Sequence, residues 1–422
     1  MSSAEEAGDS PLLVQLRALI ERQGPLPVDT YMRLCLADPE HGYWQREETI
    51  GAHGDFITAP EISQVFGELI GLWAAVVWRS MGAPATLRFI ELGPGRGTLL
   101  RDALRAVGSV PQVLAAASVH LIEASAPLRQ AQRRTLAAWG ESWEPTQPER
   151  EAPSGPTSNP AGSPEHAQAR PRRQARDEGG SRGFIHSPTS SRTKPGRDGE
   201  HPAIAWHEAI SEVPEGPAIV IANEFLDALP IRQLVFAEDA WHERVVDVDA
   251  QGGLRFAVGP VTTTGSEALE PVPGAILELR AGEEELLAAL ARRASPLVGL
   301  FIDYGPMERA TGDTLQAVQA HAWVDPLSWP GRADLTAHVS FARLADKARA
   351  AGLAADGPMT QGEFLGRLGV AERALRLMAA NPKEAGAIEA GVERLISPGG
   401  MGGLCKVLAV RSPGLPRVVP FA

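Results

Sequence analysis

Apolar positions along the chain follow two rhythms. Residues 12–24, LLVQLRALIERQG, place apolar side chains three and four apart and stop at Gly24, which predicts an amphipathic helix. Residues 58–82, TAPEISQVFGELIGLWAAVVWRSMG, carry the same rhythm further and predict one long helix. Its buried face would be Ile62, Val65, Phe66, Leu69, Trp73, Val76 and Val77. Thr58 and Glu61 stand at capping-box spacing, Pro60 sits in the first turn, and Gly82 and Pro84 close the segment. From residue 86 the rhythm changes. TLRFIEL is a short apolar run, followed by a glycine-rich turn and the helical TLLRDALRAV. SVHLIEA and APLRQAQRRTLAAW repeat strand and helix. A β-α-β-α run implies a parallel sheet. Beyond residue 201, AIAWHEA and GPAIVIANEF read as third and fourth strands. RQLVFAEDAWHERVVDVDAQGGLRFAVG alternates like antiparallel strands around a Gly252-Gly253 turn. EEELLAALARRA is a helix, PLVGLFIDYG a buried strand, and GGLCKVLAVR a last strand.

The stretch between residues 141 and 201 breaks both rhythms. It is rich in Pro, Gly, Ser and charge, with eight basic residues from Arg170 to Arg197, and offers little to bury. Such a segment cannot offset the entropy of ordering and is expected to be a disordered insertion. It reads as a solvated linker, with an RNA or membrane tether as the alternative. The expected organisation is a helical N-terminal region over 1–84, an α/β domain over 85–140 and 202–422, and the insertion over 141–201.

Composition narrows the class. The 422 residues, 44% hydrophobic, can bury a full core, and the net charge of -12 argues against a nucleic-acid partner. The two cysteines, Cys35 and Cys405, exclude a disulfide scaffold or a four-cysteine zinc site. No stretch approaches the ~18 apolar residues of a membrane span, and His and acid spacings match no metal-ligand motif. The acidic start MSSAEEAGDS has neither a secretory nor a mitochondrial leader pattern.

The glycine turn names a cofactor class. A dinucleotide site requires G-x-G-x-x-G. Here the glycines are Gly93, Gly95 and Gly97, preceded by Glu91, and Thr98 stands where the dinucleotide pattern needs glycine. The resulting E-x-G-x-G-x-G suits S-adenosylmethionine. This cofactor has no pyrophosphate but carries a cationic sulfonium and an amino acid end. Glu91 would face the cationic side, the glycines would admit the cofactor to the backbone, and the helix start at Thr98 would face its carboxylate. Glu123, ending the second strand, would accept hydrogen bonds from the ribose hydroxyls. An acid there also serves NAD sites, so Glu123 alone does not discriminate.

Five blocks in order then resemble one family: GDFITAPEISQVFGELIGLW, IELGPGRGTLLRDAL, IANEFLDALPIRQ, FIDYG and DPLSWPGRADLTAHVSF. The chain is similar to the MidA-like class I S-adenosylmethionine-dependent methyltransferases across nearly its whole length outside 141–201. The resemblance implies an α/β, Rossmann-like fold with a seven-stranded, mostly parallel sheet, a helical N-terminal cap and inserted β-hairpins. It implies a protein arginine methyltransferase making symmetric dimethylarginine on a respiratory complex I core subunit. It places Glu91, Gly93, Gly95, Gly97 and Glu123 at the cofactor, and Asp55, Thr58, Pro60 and Glu61, with Gly54 and Gln64, over the cofactor or the substrate entrance. With no leader pattern, a cytoplasmic bacterial member is expected.

Arginine is a poor nucleophile because its guanidinium is protonated and delocalised, so carboxylates that orient it are expected at strand tips. ANEFLDALP supplies Asn223, Glu224 and Asp227 after the fourth strand. Glu224 is the leading candidate to orient the guanidinium, with helix capping as the alternative. Asp303 and Tyr304 follow the next strand, where Asp303 faces the site or caps a turn. His338, near Asp334 and Thr336, is a candidate base, and His321, close to Asp325, a weaker one. The rival functions are a methyltransferase for a small molecule or another side chain, and a non-catalytic cofactor-binding assembly scaffold.

Overall fold

The structure, a computed structural model, describes residues 10–46, 54–55, 57–139, 202–263, 272–309 and 312–421. The expected insertion over 141–201 lies outside them. The seven strands that carry the site are β1 (Leu87–Leu92), β2 (Ala117–Ile122), β3 (Ile204–His207), β4 (Ala218–Asn223), β5 (Leu297–Tyr304), β6 (Ala354–Thr360) and β7 (Cys405–Arg411). Their order across the sheet is β6-β7-β5-β4-β1-β2-β3. β1 to β5 run parallel, while β7 pairs antiparallel with both β5 and β6. The chain therefore starts at the centre with β1, moves outward through β2 to β3, and returns to β4 on the other side of β1. That reversal opens a crevice above the carboxyl ends of β1 and β4, where ligands bind in sheets of this kind.

The strands form because they are buried on both faces. Ile219, Val220 and Ile221 of β4, and Leu300, Phe301 and Ile302 of β5, are fully buried. Each such side chain contributes roughly 1.5–3 kcal/mol over its exposed state. One face packs under helices Gln64–Ser80 and Thr98–Val107, through Phe66, Leu69, Ile70, Trp73, Leu99 and Leu100. The other packs against helices Ala281–Ala291 and Phe341–Ala350, through Leu287, Leu290, Phe341 and Leu344. Glu68, 2% exposed, accepts hydrogen bonds from Arg105 (2.9 Å) and Arg373 (2.6 Å). These two partners hold its carboxyl below the usual range against the opposing effect of burial, so the buried charge is matched.

The long helix expected over 58–82 is divided. A single turn, Ala59–Ile62, is followed by Ser63 in an extended conformation, whose hydroxyl accepts from Val65 N and starts the helix Gln64–Ser80. The capping box does not form. Thr58 makes no side-chain cap, and Glu61 instead accepts from the hydroxyl of Thr98. Val76, expected inside, is 48% exposed, on a helix most of whose other side chains are buried.

The alternating segment builds a second sheet. Arg232–Ala237, Ala240–Val248 and Leu254–Val261 pair antiparallel, joined by Leu26–Pro27 and Ile276–Leu279. A third, small sheet orders Ala322–Val324, Gln316–Gln319 and Asp334–Thr336. Helices Pro11–Gln23 and Val28–Ala37 share a core with these sheets through Leu12, Leu16, Tyr31, Val246 and Leu335.

Candidate active site

The glycine turn leaves the end of β1 and enters the helix Thr98–Val107. Gly93, Gly95 and Gly97 hold φ of 58°, 52° and 80°, a region that side chains disfavour. A Cβ on Gly93 would also lie 2.7 Å from the Phe225 ring. The turn is closed by Gly97 N donating to Pro94 O (2.8 Å) and anchored by Gly93 N donating to Ile122 O at the end of β2 (3.0 Å).

A cavity of about 340 Å³ opens over this turn. Of the residues expected at the site, Glu91, Gly93, Gly95, Thr98, Glu123, Thr58, Pro60, Glu61, Asn223 and Glu224 line it. The chain segments that supply them are far apart in sequence, and the sheet reversal brings them together.

The acids in the cavity are desolvated. Glu91 is 3% exposed, and burial pushes its pKa up to about 8. Its Oε2 has no hydrogen-bond donor among the described residues. Glu123 is pushed up to about 7 by burial, opposed by hydrogen bonds to its charged form. Ser125 N donates to its Oε1 (2.8 Å) and the Gln132 amide to its Oε2 (3.2 Å). Each oxygen retains a lone pair, enough for a ribose diol. Gln132 was not legible as a site residue. It is fully buried, and its amide also donates to Gly95 O (2.8 Å), while its carbonyl accepts from Trp206 Nε1 (2.9 Å). It fixes the glycine turn and the ribose acid together. Trp44 and Phe225, also not foreseen, complete the apolar part of the wall.

These features fit S-adenosylmethionine. The unmatched Glu91 oxygen suits the cofactor's cationic end, the glycine backbone leaves room for it, and Glu123 suits the ribose.

Glu224 lies in the wall of the same cavity. It follows β4 with φ of 49°, which re-aims its side chain. Its Oε1 accepts from Ala59 N (2.9 Å) and from the Asn223 amide (3.0 Å). Burial first, and the Asp303 charge to a lesser degree, push its pKa up to about 7. The Asn223 Oδ1, on a residue 9% exposed, has no donor among the described residues.

The remaining expected residues sit elsewhere. Gly97 starts the helix behind the cavity wall. Asp227, 7% exposed, lies on the same turn as Glu224 and is pushed up to about 8 by burial, with Asp334 and Glu224 adding to it. Asp303 resolves as a turn clasp: its Oδ2 accepts from the N–H groups of Phe225 (3.1 Å), Leu226 (2.8 Å) and Asp227 (3.3 Å). Asp55 accepts from the Tyr43 hydroxyl (3.0 Å), Arg46 (3.2 Å) and Ala320 N (2.7 Å). It ties the segment before the cavity to the small third sheet and does not line the cavity. His321 donates its N–H to Asp55 O (3.1 Å) and belongs to that tie. His338 is exposed and lines a separate polar cavity with Glu278, Arg280 and Lys347. It has no place beside Glu224.

The raised carboxyl values have a consequence for stability. In the folded protein Glu91, Asp227 and Glu224 hold protons above pH 4, where the unfolded chain releases them. The stabilisation is complete below pH ~4 and is lost as pH rises to about 8, at ~1.4 kcal/mol per unit for each group that stays neutral. The Tm of the cofactor-free protein is expected to fall by roughly 5 °C or more between pH 5 and pH 8.5. Differential scanning calorimetry checks this. A flat or rising Tm over that window would mean that these acids are ionised in the folded state.

A Rossmann-like sheet with this strand order, a glycine turn after β1 and an acid after β2 defines a class I S-adenosylmethionine-dependent methyltransferase. A family model for S-adenosyl-L-methionine-dependent methyltransferases matches residues 69–359, and the chain belongs to that family, the MidA-like methyltransferases. It is 36% identical to the mitochondrial "Protein arginine methyltransferase NDUFAF7 homolog" of Drosophila melanogaster, over 97% of this chain and 86% of that one. It is 32% identical to the human mitochondrial protein arginine methyltransferase NDUFAF7, over 95% of this chain and 84% of that one. A crystal structure from Burkholderia thailandensis, bound to S-adenosyl-homocysteine, superposes with a TM-score of 0.72 at 24% identity, covering 96% of this chain and 93% of that one. The protein is thus an enzyme of the methyltransferase class that uses S-adenosylmethionine. The expectation of a cytoplasmic bacterial protein is overturned, because these curated relatives are mitochondrial proteins of animals. Among the described residues no helix is long and apolar enough to cross a membrane.

Proposed function

We propose that the protein methylates an arginine side chain of a protein substrate, with Glu224 as the carboxylate that orients the acceptor. The observation that carries this reading is Glu224 itself. It is a desolvated acid in the wall of the cavity that opens over the glycine turn, fixed by Ala59 N–H and Asn223. S-adenosylmethionine, when bound, supplies an electrophilic methyl group. Glu224 would accept N–H bonds from the guanidinium, localise its charge and turn one nitrogen toward the methyl. Glu224, ionised above its pKa of about 7, would also take the proton that the nitrogen must shed. Asn223 would hold Glu224 and offer its free carbonyl oxygen to the acceptor. The names of the curated relatives support arginine as the acceptor. The family resemblance supports symmetric dimethylation of a respiratory complex I subunit.

The test is transfer of labelled methyl from S-adenosylmethionine into a lysate of cells lacking this protein and containing unassembled respiratory subunits. Label recovered after hydrolysis as dimethylarginine, in one protein band, is the expected result. Label in a small molecule would replace the proposal with a metabolite methyltransferase. No transfer by a preparation that binds S-adenosylmethionine would favour a non-catalytic assembly scaffold.

A further inference from the structure

The short helical turn Ala59–Ile62 touches the site at both of its ends. Thr58, Pro60 and Glu61 belong to the wall of the cavity over the glycine turn, as do Thr98 and Glu224. From one end Ala59 N donates to Glu224 Oε1 (2.9 Å). Toward the other end the Glu61 carboxyl accepts from the hydroxyl of Thr98, the first residue of the helix that follows the glycines. Glu61 N closes the turn on Thr58 O (3.0 Å). One turn of backbone therefore ties the start of the cofactor helix to the acid that follows β4.

The turn does not borrow its placement from the long helix after it. Ser63 is extended and separates it from Gln64–Ser80, and Thr58 makes no side-chain cap. Its back is packed by helix Ala385–Ile396, where a Cβ on Gly391 would come within 3.0 Å of Ile62 O. On the cavity side the side-chain bond that holds it is Glu61 to Thr98. What depends on it is the aim of Glu224. The last torsion of a glutamate side chain is soft, so a carboxyl turns unless its oxygens are bonded. Ala59 N and the Asn223 amide both donate to Oε1, which leaves Oε2 for an acceptor.

We infer that Glu61 is a positioning residue for methyl transfer: its bond to Thr98 holds the turn Ala59–Ile62 so that Ala59 N–H keeps the Glu224 carboxyl aimed. The inference rests on the reading of Glu224 as the acceptor carboxylate. A neutral oxygen serves this role as well as a charged one, because a hydroxyl donates to either. A residue that acted on the cationic cofactor through its charge would need the carboxylate itself. Replacing Glu61 by glutamine therefore separates the two roles.

The test uses the full chain with Glu61→Ala, Glu61→Gln, Thr98→Val and the double variant Glu61→Ala/Thr98→Val. Hydrogen exchange is read at the Ala59 amide, with and without saturating S-adenosyl-homocysteine. Glu61→Ala and Thr98→Val should each speed that exchange by ~tenfold, the double variant by no more, and Glu61→Gln should stay within ~twofold of the natural protein. Exchange over Gln64–Ser80 should not change. In the transfer assay above, Glu61→Ala should lower the rate at saturating S-adenosylmethionine by ~tenfold with KM for the cofactor within ~threefold, and Glu61→Gln should restore the rate. Unchanged exchange at Ala59 in Glu61→Ala would overturn the inference. So would faster exchange spread equally over Gln64–Ser80, or a glutamine variant as impaired as the alanine one. Label in a product other than arginine would overturn the arginine reading, while exchange at Ala59 still decides the role of Glu61. No transfer by the natural protein would overturn both.

Discussion

Gly95→Val is expected to abolish S-adenosylmethionine binding while leaving the sheet folded. Gly95 holds φ of 52°, and its carbonyl oxygen accepts from the buried Gln132 amide. A β-branched side chain disfavours this conformation by ~1–2 kcal/mol, so the turn would relax toward φ below zero and pull away from Gln132. Gln132 also holds Glu123, so both the turn and the ribose acid would lose their register. The valine methyls would meanwhile occupy a wall of the 340 Å³ cavity. Together these effects should weaken S-adenosyl-homocysteine by ~100-fold or more, equivalent to ~2.7 kcal/mol. Titration calorimetry reads the affinity, and circular dichroism with Tm shows that the fold remains. Normal affinity in this variant would mean that the cofactor does not lie on the glycine turn.

Glu224→Gln should separate binding from chemistry. The glutamine is nearly the same size, and its carbonyl oxygen can still accept from Ala59 N and the Asn223 amide. The site would lose the negative charge that we propose grips and orients the acceptor. Removing a charged group that acts in the transition state costs ~10²–10³-fold in rate. The expected result is a loss of that size in single-turnover methyl transfer, with S-adenosyl-homocysteine affinity within ~twofold. The pH profile should change as well. In the natural protein the acceptor must meet an ionised Glu224, whose pKa lies near 7, so transfer should rise with pH through that value. In Glu224→Gln this limb should vanish or move. Undiminished transfer would remove Glu224 from the acceptor site.

The central strands were legible because each is a short apolar run bounded by turn residues, as strands buried on both faces are. The cofactor turn was legible because close backbone approach allows almost no residue but glycine. β6 was not foreseen. Its sequence, AADGPMT, has few strand-forming side chains and contains Gly357-Pro358, tolerable because β6 lies at the sheet edge. The helices between Gln361 and Ile396 also went unread.

Within the site, local patterns misled where a distant partner won. Thr58 and Glu61 have capping-box spacing, but Glu61 reaches Thr98, a partner no local pattern reveals. Gln132 lies in APLRQAQRRTL among surface-like polar residues, yet it is fully buried. Its role depends on β3 bringing Trp206 across the helix. Asp303 could be read as substrate-facing or as a cap, and only the convergence of three N–H groups on one oxygen decides. His338 follows Asp334 by four residues, but the chain meets the turn that carries Asp227 between them and takes the histidine to a different cavity.

The position of β7 bears on how the molecule is made. β7 enters the sheet between β5 and β6, although it follows both in the sequence. A nascent chain that has left the ribosome only as far as residue 404 therefore presents β5 with an unpaired edge and β6 with no neighbour. Translation proceeds at ~5–20 residues per second, so that exposed edge persists for seconds while the rest of the α/β core is already available. During that interval it offers a template for pairing with another chain. Chaperone dependence during synthesis should accordingly track the arrival of Cys405–Arg411 in the open, and premature stops upstream of it should yield aggregates rather than a smaller folded enzyme.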